Sequence, residues 1–109
     1  MTYVIDIDGT LCSLTNGDYT SAKPFKERIA KVNRLYREGH TIILHTARGM
    51  GRFEGNRWKS YNQFYFFTER QLKKWDVQYH QLVMGKPSGD FYIDDKGIKD
   101  EDFFADETR

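Results

Sequence analysis

Short apolar runs alternate with amphipathic stretches along this chain. Residues 2–7, Thr-Tyr-Val-Ile-Asp-Ile, form a run rich in β-favouring residues that stops at an Asp-Gly pair, as is typical of a buried parallel strand. Residues 41–46 form a second such run, residues 77–84 a third and residues 91–93 a fourth. The pattern predicts four short strands.

Two stretches between these runs repeat apolar residues at helical spacing. After Pro24 they recur at intervals of three or four residues until Gly39 supplies a stop, and a second seam runs from Tyr61 through Thr68 to Trp75. We expect a short helix in the tail as well. Strands that alternate with helices favour an α/β fold with a parallel sheet and helices packed on its faces. Ligands of such sheets bind at the carboxyl ends of the strands.

Length and charge limit the organisation of the protein and its partners. The chain has 109 residues, which predicts a single domain over residues 1–109. Because nothing resembles a signal peptide and no run of about 18 apolar residues occurs, we expect a cytoplasmic protein that does not enter a membrane. The net charge is +1, but residues 23–59 hold ten Lys or Arg against three Glu. This middle region is expected to attract anions.

Acidic residues follow two of the predicted strands. Asp6 and Asp8 are two apart, so on a strand both side chains would point to the same side. Asp94 and Asp95 follow the fourth run, so four carboxylates are expected to converge on one edge of the sheet. Hard oxygen ligands suit Mg²⁺, which takes one or two carboxylates plus substrate phosphate. A solvated strand end with a turn is the alternative for the first pair.

A hydroxyl and an ammonium are expected at the same edge. Thr46 ends the second run and Lys86 follows the third, and both groups suit a phosphate. Each alone is a weak signal, because threonines at strand ends and lysines in loops are commonly structural. Their joint placement carries the prediction. The metal and Lys86 would together offset the repulsion between the carboxylates and a phosphate.

Four short motifs resemble those of the haloacid-dehalogenase superfamily, in order along the chain: Val4-Ile5-Asp6-Ile7-Asp8-Gly9-Thr10, Thr46, Lys86 and Asp94-Asp95. Residues 46–51 and 92–96 are also similar to small phosphatases found with capsule and sugar (polysaccharide) biosynthesis. The resemblance implies a three-layer Rossmann-like core. Superfamily members often insert a cap after the first motif or the third strand, and this chain has only short segments at both places, so it implies a capless site.

The resemblance also implies the reaction, which is the hydrolysis of a phosphate monoester through an aspartyl phosphate. Asp6 would be the nucleophile and Asp8 the general acid and base. Mg²⁺ would be bound by Asp6, the backbone carbonyl of Asp8 and Asp94, with Asp95 acting directly or through water. Thr46 and Lys86 would complete the catalytic set by holding the phosphoryl oxygens.

Substrate contacts are expected around the phosphate. Gly9 fits a tight turn that presents backbone N–H groups, and the Thr10 hydroxyl could fix that loop. The basic loop over residues 49–59 is expected to clamp an anion, and a solvated linker is the alternative. The full set of predicted substrate-binding residues is Gly9, Thr10, Thr46, Ala47, Arg48, Arg52 and Lys86.

The closer resemblance makes a small phosphorylated metabolite the expected substrate, with a sugar or polyol phosphate favoured. A nucleic-acid end-processing phosphatase is one alternative, although the nearly neutral charge weighs against it. A catalytically inactive module that binds phosphate or metal is another. The second helix carries a surplus of aromatic residues, which predicts core packing plus a subunit interface in a homo-oligomer, with stacking on bases as the alternative.

Overall fold

A three-stranded parallel sheet organises the fold. The structure is a computed structural model and describes residues 1–107. The strands lie side by side in chain order: β1 (Thr2–Asp6), β2 (Thr41–Thr46) and β3 (Gln81–Met84). The helices are α1 (Lys26–Arg37), α2 (Arg57–Lys74) and α3 (Asp100–Phe103), with short 3₁₀ turns at Tyr19–Ser21 and Ala105–Glu107. The predicted α/β class, with its small parallel sheet, is confirmed.

The strand register aligns the carboxyl ends of the three strands, where the predicted site residues lie. Asp6 is paired with His45 across β1 and β2, and Thr46 is paired with Met84 across β2 and β3. Because all three strands run in the same direction, their carboxyl ends form one edge of the sheet. Lys86 lies two residues after the end of β3. The predicted site residues Asp6, Thr46 and Lys86 therefore all lie at the carboxyl end of the sheet.

The core lies on one face of the sheet. Ile5, Leu44 and Leu82 are paired across the three strands and are all buried. Because side chains alternate between the two faces of a strand, these three lie on the same face of the sheet. The helices close this face with the buried residues Ile29, Val32, Leu35 and Leu72. Ile29 of α1 and Leu72 of α2 belong to the same core cluster, so both long helices pack on this face. Val4, on the other face of β1, stays exposed.

The fourth strand predicted at residues 91–93 is wrong, since these residues lie outside the sheet and are exposed. The Tyr92 hydroxyl donates to the Pro87 carbonyl at 2.7 Å, and Asp94 Oδ1 accepts the N–H of Lys96 at 2.7 Å. These bonds turn the segment on itself. Three apolar residues bury too little surface to offset the entropy of ordering a longer extended segment.

The two connections where a cap could be inserted are short. Between β1 and α1 the regular structure is limited to the turn at Tyr19–Ser21, and residues 85–99 between β3 and α3 hold no helix or strand. A capless site stays a prediction. Among residues 1–107, no helix combines the length and apolar character needed to cross a membrane.

We predict that Leu44→Ala lowers the free energy of unfolding by about 2–5 kcal/mol, because Leu44 is completely buried in the central strand. Val4→Ala is the matched control on a neighbouring strand, where the side chain is 61% exposed and the change should stay within about 0.5 kcal/mol. Urea unfolding of both variants checks this. Equal losses would show that the two faces of the sheet are buried alike.

Candidate active site

Two carboxylate–cation pairs lie at the carboxyl edge of the sheet. Asp6 ends β1, and its Oδ1 is 3.3 Å from Nζ of Lys86. Asp8 accepts two hydrogen bonds from Arg48, at 2.9 Å from Nε and 3.0 Å from Nη2. Each strand thus contributes a charged group at or just after its end. The two cations relieve the repulsion that the two neighbouring carboxylates would otherwise exert on each other.

The two pairs differ in burial and in geometry. The Arg48 side chain is completely buried, grips Asp8 with two bonds, and donates from Nη1 to the Thr68 hydroxyl at 3.1 Å. Lys86 and Asp6 share a single contact, and their side chains are 17% and 30% exposed. A bidentate pair between an arginine and a carboxylate is strong and directional. Asp8 is therefore held in place, whereas Asp6 is the carboxylate open to a ligand.

The turn after β1 orients Asp6. Gly9 adopts φ 84°, a conformation that favours glycine, and its N–H donates to the Cys12 carbonyl at 2.8 Å. The Thr10 hydroxyl donates to Asp6 Oδ2 at 3.1 Å, so the two oxygens of Asp6 contact different groups. This bond links the turn to the Asp6 carboxylate. The N–H that Gly9 was expected to offer to a phosphate is bonded within the turn.

Thr46 joins the ends of two strands. Its hydroxyl accepts the N–H of Arg48 at 3.1 Å, and its carbonyl accepts the N–H of Lys86 at 3.1 Å. The Thr46 side chain is buried. These bonds set the backbone of both cationic residues relative to β2, so Thr46 acts on the site through Arg48 and Lys86. Direct contact between Thr46 and a phosphate stays a prediction.

The other predicted substrate contacts lie in different surroundings. The Arg48 guanidinium is occupied by Asp8, and Ala47 is half-buried beside it. Arg52 is exposed and donates to the Gly17 carbonyl at 3.3 Å, which ties its loop to the segment before Tyr19. Substrate contacts by Ala47, Arg48 and Arg52 stay predictions.

The acidic pair expected to complete a metal site lies in the exposed segment after β3. Asp94 Oδ1 accepts the N–H groups of Lys96 and Gly97, at 2.7 and 2.5 Å. Across residues 1–107, no group of three or more His, Cys, Asp or Glu side chains lies close enough to hold a metal ion. The metal roles of Asp6, Asp8, Asp94 and Asp95 stay predictions.

Two further titratable groups border the site, and burial shifts the pKa of each toward its neutral form. Burial, followed by the negative charge of Asp8, raises the pKa of the Cys12 thiol to about 12. Cys12 therefore supplies no nucleophile, because the thiolate is the reactive form. Burial and then the charge of Lys86 lower the pKa of His45 from its usual 6.5, against a smaller opposing effect of Asp6.

Three residues of the site were missed from the sequence. The Tyr19 ring lies 4.8 Å from the Arg48 guanidinium, Thr68 accepts from the same guanidinium, and the Tyr92 ring lies 4.2 Å from Lys86 Nζ. A tyrosine in a loop gives no sequence signal for a cation contact. Thr68 gave one signal, because it is a polar residue on the apolar seam of a helix.

The fold as a whole has relatives among solved structures. No protein-family model and no curated protein matches the chain. A crystal structure of an MCSG target from Vibrio cholerae is 30% identical, with a TM-score of 0.86, and the match covers 94% of this chain and 85% of that one. The chain belongs to the same family as that protein.

Two more distant structures share the fold. They come from the Pnkp1/Rnl/Hen1 complex, one of them described as an RNA repair complex. They are 21% and 22% identical, with TM-scores of 0.59 and 0.56. The matches cover 97% and 99% of this chain but only 33% and 32% of the other chains. This chain therefore corresponds to about a third of each larger protein.

We predict that Arg48→Met lowers the free energy of unfolding by about 3 kcal/mol, near the lower end of the usual cost of removing one partner of a buried pair. The lower end applies because the Asp8 side chain keeps 19% exposure. Combining this change with Asp8→Asn should cost less than the sum of the two single changes, since no unpaired charge remains. Urea unfolding of the four chains measures the coupling, with Arg52→Met as an exposed control. Strictly additive losses would contradict the pairing.

Proposed function

We propose that the chain is a hydrolase of phosphate monoesters that works through a covalent phosphate on Asp6, as members of the haloacid-dehalogenase superfamily do. One observation carries the proposal. Of two neighbouring carboxylates at the edge of the sheet, Asp6 is singly paired and partly exposed, whereas Asp8 is held by the buried Arg48. A nucleophile must be reachable by the substrate, and an acid or base must be held in one direction.

In the first step, a carboxylate oxygen of Asp6 would attack phosphorus while the bond between phosphorus and the ester oxygen breaks. The leaving oxygen would take a proton from Asp8 and depart as an alcohol. Lys86 would contact the phosphoryl oxygens, because its ammonium already lies 3.3 Å from the attacking carboxylate. The two bonds from Arg48 would keep the Asp8 carboxyl aimed at the leaving group.

In the second step, water would attack the phosphorus of the aspartyl phosphate. Asp8 would take a proton from this water, which restores the proton lost in the first step. The bond between phosphorus and the Asp6 oxygen would break, inorganic phosphate would leave and the carboxylate would be regenerated. The Thr10 hydroxyl, 3.1 Å from Asp6 Oδ2, would keep the carboxylate in the same orientation through both steps.

The donor atoms near Asp6 fit Mg²⁺. Asp6 faces the Thr10 hydroxyl and the Lys86 ammonium, and the Cys12 thiol stays protonated, so the donors that could bind a metal here are hard oxygens rather than soft sulfur. Asp6 and the main-chain carbonyl of Asp8 would hold the ion, with Asp94 and Asp95 as further carboxylates. When bound, Mg²⁺ would neutralise charge on the phosphoryl oxygens.

The proposed substrate is a small phosphorylated metabolite, with a sugar or polyol phosphate first. Support comes from the similarity of residues 46–51 and 92–96 to small phosphatases of capsule and sugar biosynthesis. The short connections around the site leave its entrance open, so the ester itself can extend away from the phosphate. A phosphate at an oligonucleotide end belongs in the same screen, given the fold-level likeness to chains of an RNA repair complex.

We predict that the wild-type chain releases inorganic phosphate from at least one ester in a panel of sugar, polyol and nucleoside phosphates and 3′-phosphate oligonucleotides. Asp6→Asn should lower kcat by at least about a thousandfold, because an amide does not replace the nucleophile. Its fold should persist, since the amide oxygen can still accept from Lys86 while the amide NH2 can donate to the Thr10 hydroxyl. Phosphate release and circular dichroism measure the two effects.

The matched control is Asp90→Asn, which removes an exposed carboxylate from a neighbouring loop and should keep the wild-type rate. A folded Asp6→Asn variant with more than a few per cent of wild-type activity would rule out covalent catalysis by Asp6. No turnover of any ester by the wild-type chain would instead favour the inactive phosphate-binding module.

We predict that turnover stops in excess chelator and returns with Mg²⁺, whereas Ca²⁺ binds without restoring an efficient rate, because it is larger and less strict in geometry. Asp94→Asn should raise the Mg²⁺ concentration needed for half-maximal rate, and Asp95→Asn should raise it less. Rate measurements over a range of Mg²⁺ concentrations check both statements. Full activity in chelator would exclude the metal site.

A further inference from the structure

An open groove lies beside the candidate active site and takes no part in the chemistry described above. Its volume is about 440 Å³. Among the described residues, four line it: Arg57, Trp58 and Tyr61 from the first two turns of α2, and Met84 at the end of β3. Trp58 and Tyr61 supply aromatic walls, Met84 a thioether and Arg57 a positive charge. None of these four residues is acidic.

The groove adjoins the residue that would contact the phosphate. Met84 forms one wall, and Lys86 is two residues further along, so their Cα atoms are no more than about 7 Å apart. Gly85 between them has φ 89°, and a Cβ there would lie 2.6 Å from Cδ of Arg57. The stem of Arg57 therefore packs directly over the backbone that leads to Lys86. A molecule with its phosphate at Lys86 could place its remainder in this groove.

The aromatic walls are placed for stacking. Trp58 is 73% exposed, although an indole is one of the largest apolar side chains. Tyr61 packs against Tyr65, one helical turn further on, at a ring distance of 4.7 Å and an angle of 23°, which limits how far the Tyr61 ring can turn. Exposed aromatic side chains at the edge of a binding site offer flat apolar faces to a ring. Arg57 adds a charge that complements an anionic ligand.

We propose that this groove binds the ring of the ester that the site hydrolyses, by stacking that ring on Trp58, and so selects esters of ring-bearing alcohols. The inference rests on the proposed function, because that function supplies the phosphate anchored at Lys86. Two sources offer the required ring face, the base of a nucleotide and the ring of a sugar. Aromatic walls fit both, since bases stack on their π faces and sugars through their C–H faces.

A binding experiment tests the groove without turnover. The chain contains two tryptophans, so Trp75→Phe leaves Trp58 as the single indole, and Asp6→Asn prevents hydrolysis. Uridine 5′-monophosphate, glucose 6-phosphate and glycerol 3-phosphate are titrated against Trp58 fluorescence. We expect a saturable change with at least one ring-bearing ester and a much smaller one with glycerol 3-phosphate. A response to uridine 5′-monophosphate alone would show that the groove binds a base. A response to glucose 6-phosphate would show that it binds a sugar ring.

A kinetic experiment in the wild-type background tests selection. Trp58→Ala should raise KM for the responding ester at least about fivefold more than KM for glycerol 3-phosphate, which is the lower end of the range for one stacking contact. Trp58→Phe should recover part of the loss, because it keeps a ring. Phe66→Ala is the matched control, an exposed aromatic on the same helix that does not line the groove.

The outcomes separate this inference from the proposed function. The wild-type chain could hydrolyse an ester while Trp58 responds identically to all three esters, or while KM changes equally for ring-bearing and ringless esters. Either result would contradict ring binding in the groove and would still support the proposed phosphatase. A ring-specific response of Trp58 in a chain that hydrolyses nothing would support the groove and overturn the phosphatase. An equal ring-specific rise in KM in the control Phe66→Ala would also count against the groove.

Discussion

The contact between Arg48 and Asp8 is the interaction on which the site depends. Arg48 follows β2, Asp8 follows β1, and the same guanidinium reaches Thr68 on α2, so one side chain ties together three separate elements. Burying an arginine costs desolvation, which is offset only when its donors are satisfied. Here the partners are a carboxylate and a hydroxyl. The edge of a very small sheet is thereby made rigid where the proposed chemistry needs a fixed direction.

This arrangement gives two carboxylates of the same type different tasks. Asp8 is fixed by a buried partner, whereas Asp6 keeps a weaker contact with a lysine whose own long side chain can move toward a ligand. The difference arises from burial and geometry, since both residues come from one short motif. It also explains how a chain with one thin core can keep two negative charges close together, because each charge has its own cation.

Local pattern was enough to predict much of the fold. The bounds of β2 follow from an apolar run between Gly39 and a threonine, and parallel register then places Asp6 and Lys86 together. The hydrogen-bond partners of individual side chains were not predictable from the sequence. The position of Arg48 after β2 suggested a substrate contact, but its partner is 40 residues away in the chain. The run at residues 91–93 reads as a strand, yet local bonds of Tyr92 and Asp94 fold it away from the sheet.

Trapping the proposed bond between phosphorus and the Asp6 carboxylate tests the covalent chemistry most directly. Wild-type chain mixed with an ester that carries radioactive phosphorus in its phosphate group is quenched in acid during turnover, digested and mapped by mass spectrometry. We expect a phosphoryl group on the peptide that contains Asp6, and none in the Asp6→Asn variant. Steady release of phosphate with no label on the chain, or with the label on another residue, would contradict it.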